Sequence, residues 1–299
     1  MRKQASTPSR SLVAILLGGL VFSQAAFAAD RPGEDRLPGP EVLDPRLGLT
    51  LWASDPDIVT PIGLSIDAND RVFVLESHTH SPPFGYQGPD SDRIKVLVDT
   101  DGDGRMDAVS VFAEGFEDGM NLRFSNEGIL HLVDKKTVWA LYDRDNDGVC
   151  DERKALLRMV APEVVYDHAG LLALAFSPDG WLYVSRGNVG GFAWRIEGTD
   201  GSFLEGYGDG GNIMRCRPDG SDLQEVATGF WNPFGLTVDT TGRVLATDND
   251  PDSRGPNRLL HIVPGGDYGY KALYGGSGIN PYLSWNGELP GTLPYIAGL

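Results

Sequence analysis

Cysteine is scarce. Cys150 and Cys216 are the only two in 299 residues, so a disulfide-built scaffold is excluded and one bridge between them is the most that can form. Neither opens a C-x-x-C-H motif, which removes covalent haem from consideration. Positive charge is also short: 25 Lys and Arg stand against 42 Asp and Glu, a formal charge of −17. Such a surface repels phosphate backbones, so nucleic acid is not a partner. Beyond Phe22 no apolar run is long enough to cross a bilayer. Helical periodicity is almost missing, whereas 39 Gly and 20 Pro punctuate short alternating segments, the pattern of many strands joined by turns. No G-x-S-x-G, P-loop or H-E-x-x-H sequence occurs. Gly206 to Gly211 satisfies G-x-G-x-x-G only formally, because a strand pattern rather than a helix follows from Ile213.

The chain opens with Arg2, Lys3 and Arg10, continues through apolar residues from Leu12 to Phe22, and reaches Ala26-Phe27-Ala28. This is the form of a secretory signal cleaved after Ala28, with retention as an anchor the alternative. Removing its three basic residues takes the formal charge from −17 to −20. The expectation is a signal peptide over 1–28 and one exported domain over 29–299, secreted or periplasmic. Outside the cell, millimolar calcium fills even weak acidic sites.

Two nine-residue runs meet that expectation. Asp99, Asp101, Asp103 and Asp107 in one, and Asp143, Asp145, Asp147 and Asp151 in the other, occupy relative positions 1, 3, 5 and 9 around a Gly at 6. Alternate residues of a tightly wound loop can aim several carboxylates at one centre, and calcium takes six to eight oxygens. An EF-hand has Glu at position 12, but Ser110 and Lys154 stand there, and the flanks alternate as strands do. These are read as calcium loops between β-strands; solvated acidic turns are the alternative.

Four passages share a hairpin pattern: Gly63 to Val74, Asn121 to Leu132, Leu172 to Val184, and Gly235 to Ala246. In each, apolar alternation runs into a turn rich in Asp, Asn and Gly and then resumes. A second hairpin follows each, turning at the two acid loops, at Pro218-Asp219-Gly220 and at Pro264-Gly265-Gly266. A four-stranded unit repeating every 50 to 60 residues, roughly, is a propeller blade. The fold class is therefore all-β, a β-propeller of four-stranded blades.

Strand order then sets geography. Residues just before the first strand and just after the second converge on one rim, and the acid loops fall on the other. The first rim collects Glu76, His78, His80, Asp167, His168, Arg186, Asn188, Trp231, Asn232, Asp248, Asn249 and Asp250. His78 and His80 share a side of an extended chain and could bind metal or stand in a solvated turn. Asp248-Asn249-Asp250 could hold calcium on the channel axis or open a turn before Pro251. His131 and His261 lie within strand patterns and read as structural.

Asp167-His168-Ala-Gly170, Phe176 to Asn188, Gly229-Phe-Trp-Asn232-Pro-Phe-Gly-Leu236 and Gly266-Asp-Tyr-Gly-Tyr270 resemble the soluble quinoprotein glucose and sorbosone dehydrogenases. Glu76-Ser-His-Thr-His80, the acid loops, Thr247 to Pro251 and Trp285 to Pro294 resemble more closely the propeller domain of large secreted proteins known as membrane-bound dehydrogenases of the PVC type. The resemblance implies a six-bladed propeller with pyrroloquinoline quinone and calcium at its central rim, His168 as base, Asn232 against the quinone, and Asp250 and Pro251 near the ion. It also implies a cytochrome c domain or protein as electron acceptor. Trp231 stands where that family has Arg, which removes a cation that would stabilise the reduced quinone. Four hairpin pairs are visible where about six blades close such a ring, so the expectation is an incomplete propeller or one closed by a partner.

The function expected is oxidation of a sugar or alcohol hydroxyl, with His168 catalytic and Arg186, Asn188, Trp231, Asn232, Asp248, Asn249 and Asp250 around the cofactor. Two alternatives stay open. One is a non-catalytic propeller that binds carbohydrate or protein on the same rim. The other is a metal-dependent lactonase-like propeller using Glu76, Asp248 and Asp250.

Overall fold

A computed structural model describes residues 40–166, 169–207, 210–249 and 257–270. Residues 1–28, expected to form a signal peptide, therefore lie outside the described residues, as do Asp167, His168, Asp250 and the tail from 271. Within the described residues no helix is long and apolar enough to cross a membrane.

Blade 1 is the sheet β1 (Pro61–Ile66), β2 (Val72–Glu76), β3 (Asp92–Val98) and β4 (Ala108–Phe116), antiparallel and in chain order. Blade 2 repeats it with β5 (Gly119–Phe124), β6 (Leu130–Asp134), β7 (Thr137–Tyr142) and β8 (Glu152–Ala161). Blade 3 begins with β9 (Leu171–Phe176) and β10 (Leu182–Arg186), but the next hairpin leaves it. That hairpin, β11 (Ala193–Gly198) and β12 (Phe203–Tyr207), extends blade 2 by pairing on β8. The chain returns as β13 (Gly211–Cys216) and β14 (Gln224–Phe230) to complete blade 3. Blade 4 has β15 (Gly235–Val238), β16 (Val244–Asp248) and β17 (Arg258–Ile262) among the described residues. The strand after the Pro264-Gly265-Gly266 turn does not join blade 4. It is β18 (Gly266–Asp267), which pairs in parallel with β14 of blade 3.

Period-two alternation explains how the blades pack. On β10, Leu182 and Val184 enter the core shared with blade 2, while Tyr183 enters the core shared with blade 4. On β6, Leu130 and Leu132 face blade 1 and Val133 faces blade 3. Strands of the two middle blades thus feed two cores, as a sheet packed on both faces must. The blade 1/2 core joins Phe73, Leu75, Ile94 and Phe112 to Leu122, Leu132 and Leu141; full burial of each such side chain contributes about 1.5–3 kcal/mol. The inner strands β1, β5, β9 and β15 stand side by side in that order, the radial arrangement of a propeller. Gly220, at φ +85, allows the β13–β14 turn to approach blade 2, where a Cβ would stand 2.4 Å from the Leu156 carbonyl oxygen.

Both cysteines are free. Cys216 is buried in the blade 2/3 core, and burial, followed by the charges of Asp219, Asp200 and Asp222, pushes its thiol up to about 12. Cys150 packs against the blade 1/2 core instead. His131 is structural as expected: it is buried edge-on to Phe176 at 4.9 Å, and desolvation lowers it to about 4.

Leu132 is fully buried, whereas Val111 on the outer strand is 37% exposed. Leu132→Ala is expected to lower unfolding free energy by about 2–5 kcal/mol in urea titrations, and Val111→Ala by under about 0.5 kcal/mol. Equal losses would contradict the blade 1/2 packing.

Candidate functional site

Antiparallel order sends β10, β12, β14 and β16 to the same rim at their C-terminal ends, and β9, β11, β13, β15 and β17 leave from it. The connections there bring five of the expected residues together between blades 3 and 4: Asn188, Trp231, Asn232, Asp248 and Asn249. The Asn188 N–H donates to the Trp231 carbonyl at 2.7 Å, and the Asn249 N–H to the Asn232 carbonyl at 3.4 Å. Asn188 Oδ1 accepts from Gly190 N–H at 2.9 Å. Trp231 is half-buried, edge-on to Tyr270 at 4.8 Å and 79°.

Asp248 organises this rim. Its Oδ2 accepts from Arg258 Nη2 at 2.7 Å and from the Trp231 N–H at 3.3 Å. Asp248 and Arg258 face each other in the β16–β17 register and both are buried. Burial pushes the Asp248 carboxyl up to about 6, against the opposing pull of Arg258 and of the Trp231 and Asn232 N–H groups. Its other oxygen, Oδ1, is buried without a hydrogen-bond partner among the described residues, and so are Asn232 Oδ1 and Asn249 Oδ1. Three buried orphan acceptors on one rim are unusual, because each left unpaired costs about 1–3 kcal/mol. Space for one of them depends on Gly187, where a Cβ would lie 2.3 Å from Asn232 Oδ1.

Arg186 has a different place from the one expected. It is fully buried, with Nε on Asn212 Oδ1 at 2.9 Å, Nη1 on the Gly187 carbonyl at 3.0 Å and Nη2 on the Gly210 carbonyl at 2.6 Å. Its guanidinium lies 3.9 Å over Trp194. Arg186 therefore braces the loops behind the rim and does not present its charge to a ligand. Glu76 is likewise committed: Arg93 and Lys95 approach its oxygens at 2.7 and 2.9 Å, and the Val59 N–H donates at 2.7 Å. Burial alone would raise it, but those bonds outweigh burial and hold the carboxyl low. A saturated carboxylate is no axial metal ligand, and His78 is bonded to Glu76 and Tyr86. His80 is paired with Asp118 at 3.1 Å. These contacts engage Glu76 and both ring nitrogens of His78 within the protein, and the Nδ1 of His80 with Asp118.

The two acid loops occupy the opposite rim. The second lines a cleft of about 310 Å³ with the β1–β2 turn (Asp67, Arg71) and the β5–β6 turn (Gly128, Ile129). The loops share most of their bonds, but Asp99 Oδ1 accepts from the Gly102 N–H at 2.7 Å whereas Asp143 Oδ1 is buried without a partner among the described residues. Gly104 and Gly148 N–H donate to Asp99 and Asp143 Oδ2 at 2.9 and 3.0 Å, and Thr100 and Arg144 N–H donate to Asp107 and Asp151 Oδ2 at 2.7 and 2.6 Å. Carboxylate oxygens of Asp99, Asp101 and Asp107 gather within 4.8 Å, as do those of Asp143, Asp145 and Asp147. Asp103 accepts from the Arg105 N–H and Asp151 from the Arg144 N–H, the same bonds that Asp147 and Asp107 accept in the other loop. The second loop also joins blades, since the Cys150 N–H donates to the Phe112 carbonyl at 2.8 Å.

The orphan acceptors suit a divalent cation or hydroxyl donors. An anionic quinone finds no uncommitted arginine here among the described residues, since Arg186 and Arg258 are engaged within the protein. The three oxygens are of the kind calcium takes as ligands, and a bound calcium would supply the counter-charge that a quinone lacks here.

The profile of the domain of unknown function DUF7133 matches residues 42–263. A search of curated proteins returns no match. Among solved structures, the PQQ-bound aldose sugar dehydrogenase of Streptomyces coelicolor aligns at 17% identity and TM-score 0.53, over 80% of this chain and 67% of that one. An oxidoreductase of Thermus thermophilus described as a glucose dehydrogenase aligns at 20% identity and TM-score 0.51, over 79% and 68%. A further glucose dehydrogenase gives 14% and 0.54, over 80% and 71%. At these identities the likeness establishes the propeller fold.

Two measurements test the rims separately. In calcium-free protein the folded state keeps the Asp248 proton up to about pH 6, and the unfolded chain gives it up near 3.8. The stability from that proton is full below pH 3.8 and is lost as pH rises through 6. Thermal scans from about pH 4 to 6 should show the wild-type Tm falling relative to that of Asp248→Asn; parallel profiles would refute the buried-carboxyl description. On the other rim, calcium at about a hundred times its Kd should add about 2.7 kcal/mol to stability for each loop it fills. Joint substitution Asp101→Asn and Asp145→Asn should abolish the share of the calcium gain that the loops supply, and an unchanged gain would remove the loops from consideration.

Proposed function

The chain belongs to the DUF7133 family, and from that premise we propose that it is an exported, calcium-stabilised propeller which oxidises a sugar or alcohol hydroxyl at the rim between blades 3 and 4. The observation that carries this reading is the set of buried oxygens of Asn232, Asp248 and Asn249 left without partners, on a fold shared with sugar dehydrogenases. Asn232, Asp248 and Asn249 would hold a calcium ion through those oxygens, and the ion would supply Lewis-acid polarisation of a bound oxygen. Pyrroloquinoline quinone, when bound, supplies a two-electron acceptor for hydride from the substrate carbon.

The chain's own residues divide the remaining work. Trp231 offers a flat ring against which a planar group or a sugar face stacks. Asn188 fixes the Trp231 carbonyl, and Asp248 with Arg258 fixes the Trp231 N–H, so the ring sits on a backbone held from two sides. Asn249 is tied to Asn232 through the backbone. His168, one residue before Ala169 at this rim, is the proposed base that takes the substrate hydroxyl proton. Asp250, which follows Asn249 in the sequence, is proposed as a further carboxylate for this rim. The acid loops clamp hairpins on the far rim and take no part in the chemistry. A cytochrome c domain or protein is the proposed destination of the electrons.

A sugar-binding rim without catalysis is the second reading, and Trp231 in place of an expected Arg favours it. Reconstitution separates the two. Protein loaded with pyrroloquinoline quinone and calcium should reduce an artificial electron acceptor when offered sugars, and His168→Ala should lower the rate by about 10²–10⁴. Sugar binding by calorimetry with no acceptor reduction would overturn the oxidation and leave the binding reading in its place.

A further inference from the structure

Between β2 and β3 the chain makes a long excursion on the site rim, and its base is bonded through buried side chains. Asp92 is fully buried and accepts from the Thr79 N–H at 2.8 Å, the Gly119 N–H at 2.7 Å and the His78 N–H at 2.5 Å. Beside it lies a chain of three side chains. Tyr86 Oη meets His78 Nδ1, and His78 Nε2 lies 3.3 Å from Glu76 Oε2. The His78 and Glu76 side chains are 1% and 0% exposed, whereas Tyr86 is half-buried and reaches the surface.

Proton placement follows from the partners. Glu76 is ionised, held by Arg93, Lys95 and the Val59 N–H, so it can only accept. His78 Nε2 therefore carries the hydrogen, and Nδ1 is left as the acceptor for the phenol O–H. The polarity runs one way: phenol to imidazole to carboxylate. That is the arrangement of a nucleophile, a base and a group that orients the base. Gly88 leaves room for it, since a Cβ there would stand 2.1 Å from the Tyr86 hydroxyl oxygen.

We propose that Tyr86, His78 and Glu76 form an acid–base chain on the site rim, in which Tyr86 is an activated phenol that exchanges protons with a hydroxyl-bearing ligand. The ligand's identity as the sugar or alcohol substrate rests on the function proposed above; the activation of Tyr86 does not. As a ligand hydroxyl gives its proton to Tyr86 Oη, the phenol's own proton passes to His78 Nδ1. The electron pair of the broken O–H bond stays on the ligand oxygen. The imidazolium so formed lies against the Glu76 carboxylate, which stabilises it. Return of the proton along the same path restores the chain.

An acyl probe reads this activation without calcium, quinone or sugar. In p-nitrophenyl acetate the phenol oxygen attacks the acetyl carbonyl, p-nitrophenolate leaves with the bond pair, and the phenol proton goes to His78. Peptide mass spectrometry near neutral pH should find Tyr86 acetylated at least about tenfold faster than Tyr166 or Tyr207, a small part of the roughly 10²–10⁴ a positioned base contributes. Tyr166 and Tyr207 are 42% and 59% exposed, so accessibility alone favours them over Tyr86. His78→Gln keeps a hydrogen-bonding side chain against Tyr86 but cannot take its proton, and it should lower Tyr86 labelling to the rate of those two residues. Equal labelling of the three tyrosines in the wild-type protein, or undiminished Tyr86 labelling in a folded His78→Gln protein, would reduce the chain to an anchor for the excursion and overturn the proposal. The wild-type ratio stands whether or not the variant folds. Failure of sugar oxidation with rapid Tyr86 acetylation would count against the proposed function alone.

Discussion

Antiparallel pairing within each blade is the constraint on which everything else rests. An antiparallel strand must end where its partner begins, so successive turns alternate between the two rims without exception. Because every blade packs at least one face on a neighbour, blades 2 and 3 both faces, no sheet can slip by one residue without moving its apolar set out of a core. Registers are thereby fixed, and so are the ends of strands. Asp248 and Arg258 face each other because of that register, and residues as distant in sequence as Asn188 and Trp231 are hydrogen-bonded because their strands leave the same rim.

The two rims differ in how they treat oxygen. On the acid-loop rim most carboxylate oxygens are exposed or already accept loop N–H groups, with Asp143 Oδ1 the one buried there without a partner among the described residues, so water supports most of them at little cost and calcium adds rigidity between hairpins. On the opposite rim Asn232, Asp248 and Asn249 have buried oxygens without partners. Leaving such atoms unpaired opposes folding, and a site that tolerates this is arranged for something that arrives from outside the chain. Burial of Asp248 with a raised carboxyl belongs to the same pattern. Arg186, by contrast, has its hydrogen bonds within the fold, where it connects β10 to the loops before β13.

Much of this was legible in the sequence because it depends on local periodicity. The four inner hairpins alternate apolar and polar residues around Asn- and Asp-rich turns, and the acid loops repeat a spacing dictated by loop geometry. Strand order alone then put Asn188, Trp231, Asn232, Asp248 and Asn249 on one rim. What escaped was set by tertiary pairing. The β11–β12 hairpin has an ordinary strand pattern, and nothing in it reveals that it joins blade 2 rather than blade 3. β18 is two residues long and pairs in parallel, too short for any periodic signal. Arg258 as the buried partner of Asp248 becomes visible only when β16 and β17 are aligned. Arg186 looked available to a ligand because composition does not disclose that three carbonyl and amide oxygens meet its guanidinium. The link from Glu76 through His78 to Tyr86 has a readable trace, a histidine two residues from a glutamate at the end of a strand, but its third member lies across a turn.

The central claim is that a cation is held at the Trp231 rim independently of the acid loops, and terbium substituted for calcium tests it most directly. With the loops neutralised at Asp101 and Asp145, terbium emission excited through tryptophan should persist, and Trp231→Leu should abolish it. Absence of emission in the loop-neutralised protein, or emission indifferent to Trp231→Leu, would contradict the account.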